Sequence, residues 1–284
     1  MGFMFLITLL NLSLLFGVLV SNWIMLVLLM EVTLFTFLFM LFEYNQVSIS
    51  SSAIKYFFSQ TLGSIMLLLA GLVFWLHLSS GGGLGVYYML MGLCLKLGIF
   101  PMHFWVIPVS MELPFFMLAM LGVPMKVLPL ILLSAYVNQS ININLIYMLL
   151  LFGCVSMLTG MVYGLSNTSI RGILGASSIT HSGWFFFSAT TKAMLSYFLL
   201  YSISLLFVVL SLMYLFYWGA AVGLIALAGL PPFGVFLGKL SVLICYYQTN
   251  LPLVFMVPAL LASVFSMIYY LKFCFSFLFI TKLF

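Results

Sequence analysis

The sequence predicts an all-α, polytopic transmembrane bundle of about ten helices, each a run of about 20 apolar residues, the length that crosses the hydrocarbon of a bilayer. Three observations carry this. Of the 284 residues, 66% are hydrophobic and 4% are charged, against roughly a quarter charged in a soluble domain, so no water-facing surface can be built. The apolar runs are continuous, whereas the strands of a membrane barrel alternate and are shorter. Polar or glycine-rich punctuation also separates the runs at helix-length intervals.

In order, the expected segments lie near 3–20, 23–42, 53–78, 84–105, 115–137, 142–163, 170–190, 193–217, 219–247 and 252–280. The breaks include Ser21-Asn22, Glu43-Tyr44-Asn45-Gln46, Ser79-Ser80-Gly81-Gly82-Gly83, Asn138-Gln139-Ser140 and Thr249-Asn250. No polar linker divides the chain, so residues 1–284 are expected to form one transmembrane domain, with a first repeat at 3–137 and a second at 142–280. If the helices alternate, Lys55, Arg171, Lys272 and Lys282 fall near one face and Lys192 near the other. That excess of cations places both termini on the side where the chain is made. The start, Met1-Gly2-Phe3-Met4-Phe5, has neither the basic region of a secretory signal nor the Arg/Ser-rich pattern of a transit peptide. It is consistent with synthesis inside the compartment of insertion.

Two segments carry helix breakers at depth. One contains Lys96-Leu97-Gly98-Ile99-Phe100-Pro101-Met102-His103-Phe104-Trp105, the other Ala228-Gly229-Leu230-Pro231-Pro232-Phe233-Gly234. Proline removes a backbone donor and clashes with the preceding turn, so Pro101, Pro231 and Pro232 are expected to interrupt their helices. Unpaired backbone at membrane depth is tolerated only inside protein or along a wet cavity. A single such proline is commonly a mere kink; a spaced pair, each near a lysine, points to an ion path between inverted repeats.

Glu31, Lys96, Lys126 and Lys239 lie inside apolar runs. A charge at a helix centre costs roughly 2.5–3.5 kcal/mol on insertion scales. Four together cost on the order of 10 kcal/mol, comparable to a domain's whole stability. They are expected to face the interior and find partners or water. Burial penalises the charged form of each and pairing restores it, so a buried Glu–Lys pair with further lysines suits a proton relay. A lone lysine can instead snorkel to the headgroups, as Lys239, near a break, could; the shorter Glu31 cannot. His103 and His181 are either packing histidines or members of the relay. Glu43, Glu112, His77, Lys192 and Lys282 fall at segment ends and are expected at the interface.

Other chemistries are excluded. The cations are scattered singly, with no basic cluster for nucleic acid. Cys94, Cys154, Cys245 and Cys274 form no CxxC, so no metal or iron–sulfur site is expected. Gly234-Val235-Phe236-Leu237-Gly238-Lys239-Leu240 is one residue short of a phosphate loop and lacks the following Ser/Thr. Gly81-Gly82-Gly83-Leu84-Gly85 follows no strand. No nucleophile triad, and hence no catalytic residue, can be assigned.

At these residues the chain resembles the antiporter-like membrane subunits of respiratory complex I (NADH–ubiquinone oxidoreductase). The likeness runs through Ile54-Lys55-Tyr56-Phe57-Phe58-Ser59-Gln60, the Lys96–Val106 stretch, and Met125-Lys126-Val127-Leu128-Pro129. It continues through Arg171-Gly172-Ile173-Leu174-Gly175-Ala176-Ser177-Ser178-Ile179-Thr180-His181-Ser182-Gly183-Trp184 and Gly229-Leu230-Pro231-Pro232-Phe233-Gly234. The resemblance implies antiporter-like inverted repeats and a central axis in which Glu31, Lys96, Lys126 and Lys239 hold the family's glutamate and lysine positions. It implies a part in proton translocation across the mitochondrial inner membrane, beside other complex I membrane subunits, including a neighbouring antiporter-like chain, and lipids. NADH, FMN, iron–sulfur clusters and ubiquinone are then handled by other subunits, with no cofactor here. Against the longer bacterial relatives, the resemblance implies that this chain starts after their first helices and ends before the last family helix. Ile107-Pro108 stands where the family often has Glu, and Gly172 where a basic residue is common. A stand-alone cation/proton antiporter on the same scaffold is the alternative, and a structural spacer a third.

Overall fold

A computed structural model of the chain describes residues 2–44, 46–75, 82–139, 143–191, 193–249 and 251–283. Among them the regular elements are all helical. The first seven α-helices in chain order are α1 (Gly2–Leu19), α2 (Trp23–Phe42), α3 (Val47–Trp75), α4 (Gly82–Leu97), α5 (Val106–Glu112), α6 (Phe115–Gly122) and α7 (Pro124–Gln139). There follow α8 (Ile143–Ser166), α9 (Ile170–Ala189), α10 (Met194–Met213), α11 (Tyr217–Ala228), α12 (Gly234–Gln248) and α13 (Met256–Leu283).

Among the described residues, seven helices are long and apolar enough to cross a bilayer, α6 and α7 counting together as Phe115–Asn138. With α9 and the interrupted pairs α4–α5 and α11–α12, they follow the order of the expected segments, but α3 begins earlier, at Val47, and α5 lies beyond the expected segment end at 105. The bend between α6 and α7 is an addition to the expected picture. Pro124 has no N–H to donate to the turn before it, and the chain swings at Val123 (φ −118°, ψ −73°).

The helices gather into two compact units. The first holds Met1–Leu113 and Pro124–Ile141, the second Pro114–Val123 and Asn142–Phe284. In the first unit α3 and α4 pack closest. Their approach rests on facing glycines: a Cβ on Gly92 would lie 2.9 Å from the Gly63 carbonyl oxygen, and one on Gly63 would press the Lys96 stem at 3.2 Å. Lipid offers no hydrophobic drive between helices, so close backbone contact through small residues does that work. Helix α7 packs against α1, α2 and α4.

In the second unit α9 is the axis, buried on every face from Gly172 to Ala189. Ser169 caps it by accepting the Gly172 N–H at 3.2 Å. Its serine and threonine hydroxyls donate to carbonyls of their own helix, as Ser177 to Leu174, Ser178 to Gly175, Thr180 to Ser177 and Ser182 to Ser178. A polar helix can therefore sit in an apolar surround without orphaned donors. Helices α8, α10, α12 and α13 all touch it.

Candidate functional site

The first break is built from α4. Its last turn ends at Gly98, which takes the left-handed conformation (φ +68°). The Ile99 N–H reaches back to the Cys94 carbonyl at 2.9 Å, the six-to-one bond of a glycine-terminated helix. The chain then turns through the cis Phe100–Pro101 bond and resumes as α5. A helix end leaves carbonyls unpaired. Here the Leu95 oxygen accepts from the Trp105 indole at 3.1 Å and the Gln60 amide at 3.4 Å.

Because those neutral donors serve the helix end, the Lys96 ammonium is left for a carboxylate. It lies 3.4 Å from Oε1 of Glu31 on α2, with 3% of the lysine side chain and 24% of the glutamate exposed. Attraction at this separation is on the order of 4–5 kcal/mol at an effective dielectric of about 20. Desolvating two ions costs several kcal/mol each, so the pair contributes little net stability. The pair sets an ammonium, which can give up a proton, beside a carboxylate, which can accept one. Lys126 is buried in the first turn of α7, the helix that packs on both α2 and α4.

The second break uses different parts. Helix α11 ends at Ala228, Gly229 is again left-handed (φ +80°), and Pro231–Pro232 is cis. Lys239, in the second turn of α12, is buried and turns back across the break to donate to the Ala228 carbonyl at 3.1 Å. That carbonyl belongs to the negative end of α11. The same ammonium lies 5.8 Å from the centre of the Trp184 ring. Lys239 therefore runs inward, not to the surface.

Of the two histidines, His103 lies half-buried in the first break, its ring stacked on Phe100 at 6.0 Å. His181 is buried on α9, and its Nδ1 is 2.7 Å from the Tyr197 hydroxyl on α10. The Tyr201 ring stands 4.5 Å from the same imidazole. At the rim of the first unit Glu112 accepts from Ser51 at 2.6 Å and pairs with Lys55 at 3.2 Å, tying the end of α5 to α3. His77 and Lys192 lie outside the described residues, as does the side chain of Lys282. Among the described residues no three His, Cys, Asp or Glu side chains gather as a metal site requires.

Residues 20–216 match the family described as NADH:quinone oxidoreductase/Mrp antiporter, TM. The chain belongs to this family. Within the NADH:quinone oxidoreductase/Mrp antiporter family it is 36% identical to the NADH-ubiquinone oxidoreductase chain 2 of Albinaria caerulea, over 89% of this chain and 81% of that one. Its fold is that of a chain of respiratory complex I from Thermus thermophilus (TM-score 0.84, 19% identity, 96% of this chain and 70% of that one). It is equally that of a chain of the Mrp complex from Dietzia sp. DQ12-45-1b (TM-score 0.82, 15% identity, 94% of this chain and 59% of that one).

The first unit thus brings Glu31 and Lys96 together, and the second places Lys239 beside Trp184 and His181 against Tyr197 and Tyr201. Residues the sequence did not single out include Trp105 and Gln60 as donors to α4, and the buried tyrosines Tyr197, Tyr201, Tyr269 and Tyr270. Trp105 carried a usable signal, since a buried indole needs an acceptor and a broken helix supplies one. The tyrosines carried none.

Proposed function

We propose that this chain is a membrane-arm subunit of an NADH:ubiquinone oxidoreductase and contributes to proton translocation through Glu31, Lys96, Lys126 and Lys239. The observation that carries the site is the Lys96–Glu31 pair at 3.4 Å beside an interrupted helix. The pair costs about as much as it returns, so its place is explained by chemistry better than by stability. A proton moves on when the ammonium gives one up to the neighbouring carboxylate or to water and then takes another. His103 and His181 support the relay, and the breaks at Pro101, Pro231 and Pro232 let polar groups approach mid-membrane.

On this reading the chain works in the mitochondrial inner membrane, with both termini on the matrix side. It sits among other complex I membrane subunits, including a neighbouring antiporter-like chain, and lipids. NADH, FMN, iron–sulfur clusters and ubiquinone belong to other subunits, and this chain holds no cofactor. The alternative, a stand-alone cation/proton antiporter, is supported by the likeness to the Mrp chain, which is one of fold alone. The higher identity to a chain 2 favours the first.

The test replaces Lys96 or Lys126 by Met in the assembled complex. NADH oxidation and proton uptake are then measured in proteoliposomes. Assembly should survive while coupled turnover falls on the order of a hundredfold or more, the scale of losing one proton-transfer group. Unchanged turnover with full proton uptake would refute the relay.

A further inference from the structure

Helix α1 is the least covered of the seven long apolar helices, with 17% of its residues buried. It packs on α2 and α7 through one face, where Leu10, Ser13 and Gly17 are buried and a Cβ on Gly17 would strike Leu128 of α7. On another face Met4, Thr8, Asn11, Leu15 and Val18 are all exposed. These five recur at alternating steps of four and three residues, the spacing that keeps one seam of a helix turned toward a second helix wound on it. At 3.6 residues per turn they share an arc of about 80°.

Asn11 decides what covers this seam. A carboxamide carries two N–H donors and a carbonyl acceptor, and no hydrogen bond among the described residues involves its side chain. Exposed hydroxyls in the long helices meet the same need within one turn: Thr8 donates to the Phe5 carbonyl at 2.8 Å and Ser276 to the Phe273 carbonyl at 2.7 Å. Asn11 makes no such bond. It stands midway between Gly2 and Leu19, about 12–14 Å from either end of the helix at 1.5 Å per residue. That is close to the centre of a hydrocarbon layer about 30 Å thick. Acyl chains offer neither donor nor acceptor, and headgroups and water lie beyond the reach of so short a side chain. Polar side chains at this depth are satisfied by hydrogen bonds from neighbouring helices.

We propose that this seam of α1 docks a transmembrane helix of another membrane subunit. That helix presents a serine, threonine, asparagine or glutamine to Asn11 and apolar side chains to Met4, Leu15 and Val18. The inference rests on the membrane-arm function proposed above, which sets this chain among unlike subunits, and gives that reading a contact surface. The apolar members of the seam supply packing, and Asn11 fixes the depth at which the two helices meet, as a lone polar residue fixes register in a coiled coil.

The test uses the intact complex with Asn11→Leu and Asn11→Gln. Leucine suits lipid better than asparagine, so the direction of the effect separates the alternatives. Against a partner helix, Asn11→Leu should weaken retention of the chain in the complex roughly three- to tenfold on native gels of rising detergent, the span of one interhelical hydrogen bond. Asn11→Gln should recover most of that loss. A map of the unmodified assembly should show a helix of another subunit within hydrogen-bond distance of the Asn11 amide. Retention of Asn11→Leu equal to or above that of the unmodified chain would overturn the inference, as would acyl chains alone or a second copy of this chain along the seam. NADH-driven proton uptake per assembled complex should be the same in Asn11→Leu and the unmodified protein, because Asn11 lies outside the relay. The proposed function fails separately, if Lys96→Met and Lys126→Met leave that uptake intact.

Discussion

The two broken helices solve one problem with different chemistry. Each first half-helix ends in a left-handed glycine, Gly98 or Gly229, and each exposes a carbonyl within the membrane span. At the first break that carbonyl, on Leu95, is held by the neutral N–H groups of Trp105 and Gln60. At the second, Ala228 is held by the ammonium of Lys239. Neutral donors free Lys96 to engage Glu31, so its charge has no structural duty at the break. Lys239 has both duties, holding a helix end and carrying a charge. On the proposed function, a lysine that must let go of a carbonyl to pass a proton is a different device from one that shares its proton with a carboxylate.

This difference can be broken by substitution. Lys239→Met should have the largest effect, because it removes a charge of the proposed relay and strips α11 of its charged donor, worth about 1.5–3 kcal/mol. Both the yield of assembled complex on native gels and proton uptake should fall. Lys96→Met should lower coupled turnover on the order of a hundredfold while assembly stays near normal, since Trp105 and Gln60 still hold α4. A loss of assembly equal to that of Lys239→Met would erase the distinction. Gly229→Ala forces a side chain into left-handed backbone at about 1–2 kcal/mol and sets its Cβ 3.2 Å from the Lys239 ammonium. It should therefore impair turnover beyond its cost in thermal stability. Gly98→Ala meets the Val106 side chain and, at 3.4 Å, the Trp105 indole, and touching neither Lys96 nor Glu31 it should act on stability alone. Trp105→Phe is the smallest, removing one hydrogen bond worth about 1 kcal/mol. Its effect should appear as faster thermal inactivation with turnover per assembled complex preserved.

Much of this architecture was legible in the residues because lipid imposes lengths. A run such as Trp23–Phe42 has to be one helix, and prolines near Lys96 and Lys239 had to interrupt theirs. What lipid does not impose is a face. Apolar residues surround helices such as α2 and α10 on all sides, so no stripe says which side chain meets which. Glu31 and Lys96 were identifiable as costly, and therefore in need of company, yet nothing in their spacing required that they find each other. The bend at Val123–Pro124 escaped notice because the hydrophobic run continues across it. Tyr269 and Tyr270 were invisible for a different reason: an amphipathic ring is ordinary in a membrane helix, and only the glycines of α8, distant in sequence, draw them into a polar cluster.

The central claim is that the Lys96–Glu31 pair serves proton transfer and adds little to folding. The Glu31→Gln/Lys96→Met double variant tests it most directly, because it removes both charges and strands neither. Measured as NADH-driven proton uptake in proteoliposomes, normalised to assembled complex, it should assemble as well as the unmodified protein and pump on the order of a hundredfold more slowly. Uptake at the unmodified rate would contradict the account, as would a complex that fails to assemble for want of the pair.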